Sequence, residues 1–284
     1  MDALDSSLFQ SLLLIAVFWV AIVSVSKHLH LEKRGLETHT LYIIYKSQRV
    51  NNLLLRLASW NPLFWRIIGD IGVATAFGQM VFLGWLLVGN LLNFFINLPL
   101  ASPMIPLIPG VTVKPQSLPY FFVSASLSVL LHELSHGVLC VIEQVKVKNS
   151  ALLLAVVFFG GAIQPDEEEM EKKEGIGRMR IYAVGSLTNL IVGFIALFLG
   201  TLLEQSLPEP FVTTLQWINF LSINLAVINM LPVYPFDGDG VLNTLFERLK
   251  QRGTILRTLT GGGFLALVGL NMAMSFIKFG VISF

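Results

Sequence analysis

Charge is what this 284-residue sequence has least of, with 13% of residues Asp, Glu, Lys or Arg, where a soluble domain carries about 25%. With a mean hydropathy of +0.72, that shortage excludes an ordinary water-soluble globule and puts the chain among membrane proteins. Neither sign dominates. A formal net charge of +1 offers no basic field for a polyphosphate backbone, so no nucleic-acid partner is expected. Cysteine is nearly absent too: Cys140 is alone, which rules out an internal disulfide. It falls one turn beyond His136, but a lone cysteine in an apolar run is expected to pack rather than to bind metal.

What is present is long apolar runs. Six are long enough to cross a bilayer, near 8–26, 67–98, 119–145, 181–203, 211–231 and 258–278. The expected fold is therefore an all-α polytopic membrane protein of about six transmembrane helices, one membrane-embedded domain over residues 1–284. Residues 1–7 carry no basic stretch, so the first run is expected to be a retained anchor rather than a cleaved leader. With six spans, seventeen of the nineteen Lys and Arg fall on one side, leaving only Lys114 and Lys278 on the other. The positive-inside rule makes the basic side cytosolic and puts both termini on the non-cytosolic side.

Between the spans, residues 28–66 mix basic and aromatic side chains and are expected to lie on the cytosolic leaflet as a juxtamembrane segment. That reading is preferred to a second metal site at His28, His30 and His39. The Pro-rich stretch 99–118 is an external loop. Residues 151–164 are apolar but short, and basic residues flank both ends; a re-entrant or strand-like segment dipping in from the cytosol is expected. The acidic run from Asp166 to Glu174 is expected to be a solvated loop, Asp70 to be solvated, and Glu143 to be an interfacial carboxylate. Gly69, Gly72, Gly78, Gly84 and Gly89 in the second span, and Gly261, Gly262 and Gly263 in the last, are expected to serve helix packing.

Against this background the stretch Leu131-His132-Glu133-Leu134-Ser135-His136-Gly137 stands out, because ionisable groups at membrane depth are costly and signal function. On a helix, His132 and His136 are one turn apart on one face and can share a Zn²⁺; Glu133, about 100° round, can stand beside a metal-bound water without being a ligand. His132 lies thirteen residues past Pro119, roughly 20 Å along a helix, in the cytosolic third of the bilayer. Two histidines need one more protein ligand if a fourth position is to stay open for water. The stretch Asn229-Met230-Leu231-Pro232-Val233-Tyr234-Pro235-Phe236-Asp237-Gly238, where two prolines break the fifth span, supplies Asp237 as the best-placed carboxylate, with Asp239 as its competitor. Asn189, at a similar depth in the fourth span, either bonds a neighbouring helix or faces substrate.

These residues resemble the site-2 protease family of intramembrane zinc metalloproteases. His132 to Gly137 matches its first motif and Asn229 to Gly238 its second, while Ala183-Val184-Gly185-Ser186 to Asn189 looks like a weaker third element, with Ser186 where many members have Pro. The resemblance covers about residues 104–245, the expected catalytic core. It implies one zinc per chain on His132, His136 and Asp237, with Glu133 as the catalytic residue and Asn229, Asn189 and Pro232 on the substrate. It implies substrates that are single-span membrane proteins, cut within or near their transmembrane helix in the lipid bilayer. The loops 164–180 and 204–211 are too short for the PDZ domain of many bacterial members, so the layout looks more like archaeal members and the catalytic core of eukaryotic ones. Two other readings compete. One is a membrane metalloprotease trimming soluble or lipidated tails, which typically takes a Glu as third ligand. The other is non-enzymatic: an inactive relative that binds membrane helices, or a transporter, for which no internal repeat is visible.

Overall fold

Long apolar runs can satisfy their backbone groups in hydrocarbon only as helices or closed barrels, and the computed structural model forms helices. It describes residues 36–38, 42–46, 48–155, 159–173 and 175–280, together with helical residues 17, 19–21, 23–26 and 28. More than half of the expected first span therefore lies outside the described residues, as do His30 and His39. In chain order come β1 (Leu36–Thr38), β2 (Tyr42–Lys46), α1 (Gln48–Trp60), α2 (Pro62–Ile96), α3 (Leu118–Ile142), β3 (Val147–Ala155) and β4 (Phe159–Pro165). After them come α4 (Glu167–Lys172), α5 (Ile176–Leu203), α6 (Glu209–Asn229), α7 (Asp237–Phe246) and α8 (Gln251–Phe279). Five of these, α2, α3, α5, α6 and α8, are long and apolar enough to cross a membrane.

Local sequence sets the ends. Asn61 caps α2 by accepting from the Phe64 amide at 3.0 Å, with Pro62 in the first turn. Gln144 adopts φ 60° just past α3. The prolines at 232 and 235 keep α6 and α7 separate, so Asp237 opens a new short helix instead of continuing an old one.

Helix α5 is the centre, packing on α2, α3, α6 and α7. Burial of apolar area gives no preference between lipid and protein here, so close approach and polar bonds hold the helices together. A methyl at Gly72 would stand 3.4 Å from the Ala183 carbonyl, and Gly69 and Gly84 likewise face Arg180 and Phe264, whereas Gly78 and Gly89 meet nothing within 4 Å. Of Gly261, Gly262 and Gly263 in α8, only Gly261 meets a neighbour within 4 Å. Ser128 and Ser222 bond between α3 and α6 at 2.7 Å, and Asn271 of α8 donates to the Leu87 carbonyl of α2 at 3.0 Å.

The segment expected to be re-entrant or strand-like is the β3–β4 hairpin, and it belongs to a four-stranded antiparallel sheet in the order β1-β2-β3-β4. Tyr42 pairs with Ala155 and Lys46 with Ala151, and on the other side Ala151 pairs with Ala162 and Leu152 with Gly161. The stretch 28–66 thus contributes two strands and a helix rather than only an interfacial coat. Tyr42-Ile43-Ile44-Tyr45 has the aromatic and β-branched composition of a strand. The acidic run forms α4, capped by Asp166 through the Glu169 amide, with Lys146 and Lys148 paired to Glu169 and Asp166. The Glu169 amide holds the Asp166 carboxyl below its ordinary range.

Glu143 is the clearest correction. It is buried, not merely interfacial: its Oε1 accepts from Arg180 at 3.0 Å, its Oε2 lies 3.1 Å from Lys173 Nζ, and Lys173 also donates to its carbonyl at 2.7 Å. The same Arg180 forks onto Asp70 at 2.8 and 2.9 Å, so Asp70 is half exposed but paired. One guanidinium therefore ties α2, α3 and α5 together. Breaking a buried pair by removing one partner costs about 3–5 kcal/mol. Glu143→Ala is accordingly expected to lower the thermal unfolding temperature in detergent; an unchanged transition would show that this knot adds nothing to stability.

Candidate metal centre

Helix periodicity alone puts His132 and His136 on one face of α3, and both rings are buried. The chain brings Asp237, the first residue of α7, to meet them. Its Oδ2 lies 3.2 Å from Nε2 of each histidine, and the two Nε2 atoms are 3.0 Å apart. A tetrahedral zinc with ligands at about 2.0–2.1 Å would separate those ligands by about 3.3 Å. Asp237 Oδ2 is buried yet receives no well-aligned hydrogen bond. Three donor atoms of the types zinc prefers, one of them an orphaned carboxylate oxygen, thus occupy three corners of a tetrahedron of the right size. Among the described residues this is the one such group.

The rings are held from behind. His136 Nδ1 donates to the Ile181 carbonyl at 2.5 Å, which leaves Nε2 its lone pair. His132 Nδ1 faces the Asn189 amide, with Nδ2 at 3.0 Å, and Asn189 Oδ1 is buried without a partner. With that amide turned by half a turn, Oδ1 accepts from Nδ1–H, which leaves the His132 Nε2 lone pair facing Asp237. Gly185, one turn before Asn189 on α5, makes room for the rings: a methyl there would stand 2.6 Å from His132 Cε1.

Other expected site residues lie close by. Glu133 accepts from the Ile163 amide of β4 at 2.8 Å. Gly137 admits β4 to this position, since a side chain there would meet Ile163 and Leu54. Asn229 Nδ2 is 3.2 Å from His132 Nε2, on the side where the donor atoms converge. Pro232 is fully buried and its carbonyl faces Gly261 of α8, so it shapes the break rather than lining open space. Asp239 is turned away and bound to Arg257, at 2.6 and 2.5 Å. Cys140 is buried in the apolar cluster with Leu54, Val138 and Ile181. Sequence reasoning missed the Ile181 carbonyl and the Ile163 amide, because backbone groups carry no residue signature. It also missed Arg257, which lies outside the stretch carrying the motifs.

The sequence is similar to those of known proteins. The family model described as peptidase family M50 matches residues 120–213 and 201–270, and the chain belongs to that family. It is 28% identical over 163 residues to a zinc metalloprotease of Methanocaldococcus jannaschii, covering 57% of this chain and 43% of the relative. It is 29% identical over 112 residues to the membrane-bound transcription factor site-2 protease homolog of Arabidopsis thaliana, covering 39% and 22%. The stage IV sporulation protein FB of Bacillus subtilis is 29% identical over 123 residues, covering 43% and 38%. The chain spans less than half the length of each of these relatives.

Because Gly185 is the point at which α5 approaches both rings, Gly185→Ala is expected to strip bound zinc while leaving helical content intact. Metal analysis beside circular dichroism checks this, and full zinc occupancy in the variant would refute the steric argument.

Proposed function

We propose that the protein is an intramembrane zinc metalloprotease, an endopeptidase that hydrolyses a peptide bond within or near a transmembrane helix of a membrane-protein substrate. The supporting observation is the spacing of His132 Nε2, His136 Nε2 and Asp237 Oδ2, 3.0 to 3.2 Å from one another, with Glu133 adjoining His132 on α3. These residues would hold one zinc per chain. When bound, zinc supplies a Lewis acid for a peptide carbonyl and lowers the pKa of water towards about 7.

The chain's own residues do the rest. Glu133 takes the proton of the attacking water on Oε1, the oxygen that does not accept from Ile163, and later delivers it to the leaving nitrogen. Asn229 donates through Nδ2 to the oxyanion developing on the substrate carbonyl. Asn189 fixes the His132 tautomer from behind the ring and reaches substrate only through it. The catalytic core runs over about 104–245, with the site in the cytosolic third of the membrane and both termini on the opposite side.

A substrate helix shields its peptide groups within its own hydrogen bonds. It must unwind to be cut, so Gly, Pro or Asn within a single-span substrate favours cleavage.

The experiment pairs zinc analysis of purified protein with cleavage of single-span substrates in detergent or liposomes. Wild type is expected to carry about one zinc. Asp237→Ala is expected to lose it, and Glu133→Ala to keep it while cleavage falls by about 10²–10⁴-fold or more. Zinc-free wild type, or undiminished cleavage by Glu133→Ala, would sink the reading.

A further inference from the structure

Asp237 is held by very little of its own. It starts a ten-residue helix, α7, that follows a proline-broken stretch, and its ligand oxygen has no hydrogen bond to aim it. Its direction therefore depends on how α7 is rotated about its axis and where its first turn lies. Both are set from the final membrane helix. Arg257 of α8 donates through Nε to Asp239 Oδ1 at 2.6 Å, through Nη2 to Asp239 Oδ2 at 2.5 Å, and through Nη1 to Asn243 Oδ1 at 3.1 Å. Asp239 and Asn243 are one turn apart on α7, while Asp237 lies about 200° round from Asp239. A fork gripping that face of the helix thus turns the opposite face, with Asp237, towards the histidines.

Gly261, one turn beyond Arg257 on α8, meets the carbonyl of Pro232, where an added methyl would stand at 2.8 Å. One face of α8 therefore braces the segment carrying Asp237 at both ends. Gly240 resting on the Tyr182 ring and Gly238 on the Met230 and Leu231 backbone complete the seat. Asp239, with a side chain only 9% exposed, gives both its oxygens to Arg257 two residues from Asp237.

We propose that Arg257 is a positioning residue for the metal centre: through Asp239 and Asn243 it fixes the rotation of α7 and so delivers Asp237 to the two histidines. The proposal rests on the reading of His132, His136 and Asp237 as a zinc site. It makes α8 part of the metal centre although α8 supplies no ligand. Planarity matters as much as charge, since a lysine cannot bridge both Asp239 oxygens and Asn243 at once.

The test is zinc affinity of the full-length purified protein, by competition with a chromophoric chelator, and the visible spectrum of the cobalt(II)-substituted form, which reports ligand geometry. Arg257→Lys keeps the charge and is expected to weaken zinc about tenfold, Arg257→Gln up to about 100-fold, the range found for outer partners of metal ligands. The sign discriminates between mechanisms. Neutralising a cation near the metal would by charge alone tighten Zn²⁺ binding, whereas loss of positioning weakens it and alters the cobalt bands.

Gly261→Ala leaves the ion pair whole, disturbs the same brace at Pro232, and is expected to weaken zinc as well. This second variant decides the matter if the arginine variants fail to fold. Wild-type zinc affinity and cobalt spectrum in Arg257→Lys and Gly261→Ala, with zinc lost in Asp237→Ala, would overturn the proposal alone. A wild-type protein that binds no zinc would overturn the underlying reading and the proposal together.

Discussion

The charge of a buried carboxylate must be answered by groups the protein supplies. Asp237 embodies that constraint, and much of the structure follows from it. The two histidines must sit within 3.2 Å of its Oδ2, so α3 and α7 must meet. Helix α5 must then lie close enough for the Ile181 carbonyl and the Asn189 amide to reach Nδ1 of the two rings. That closeness leaves no space for a side chain at position 185. A chain with so few charged residues pairs several of those at its helix ends: Arg180 with Asp70 and Glu143, Arg178 with Glu247, Arg257 with Asp239.

How much of this could be read from residue order alone differs by element. The spans were legible because hydrocarbon demands long uninterrupted apolar helices, and α2, α3, α5, α6 and α8 fall where the runs are. The histidine pair was legible because one helical turn fixes their relation with no help from the rest of the fold. The choice between Asp237 and Asp239 was not fixed by spacing. It rested on resemblance, and the structure gives it a physical basis: Asp239 has an arginine, and Asp237 has the histidines. The strands β1 and β2 were missed because Tyr42 to Lys46 is a run of five residues, in which aromatic and basic character suits a membrane surface and a sheet equally. Glu143 was misread because burial of a carboxylate depends on partners far away in sequence, Lys173 and Arg180, which a local reading cannot bring to it.

The sheet and the helical bundle are joined at the chemistry rather than merely packed side by side. The Ile163 amide, on the face of β4 turned away from β3, is spent on Glu133 instead of on a fifth strand. Gly137 closes the motif that supplies both histidines, and its missing side chain is what lets Ile163 stand there. The same seven-residue stretch therefore provides donors on one side of α3 and a seat for the sheet on another. Substitutions at Gly137 would be felt at Glu133 without touching any donor atom.

The donor atoms come from positions about a hundred residues apart in the chain, on α3 and α7. A metal ion bound between them ties those two points together as a covalent bridge would, closing a loop that includes β3, β4, α5 and α6. In a polypeptide whose single cysteine can form no bridge of its own, this is the one available cross-link among the described residues. Such an ion would fasten the segment holding α5 and α6 at both ends for as long as it stayed bound.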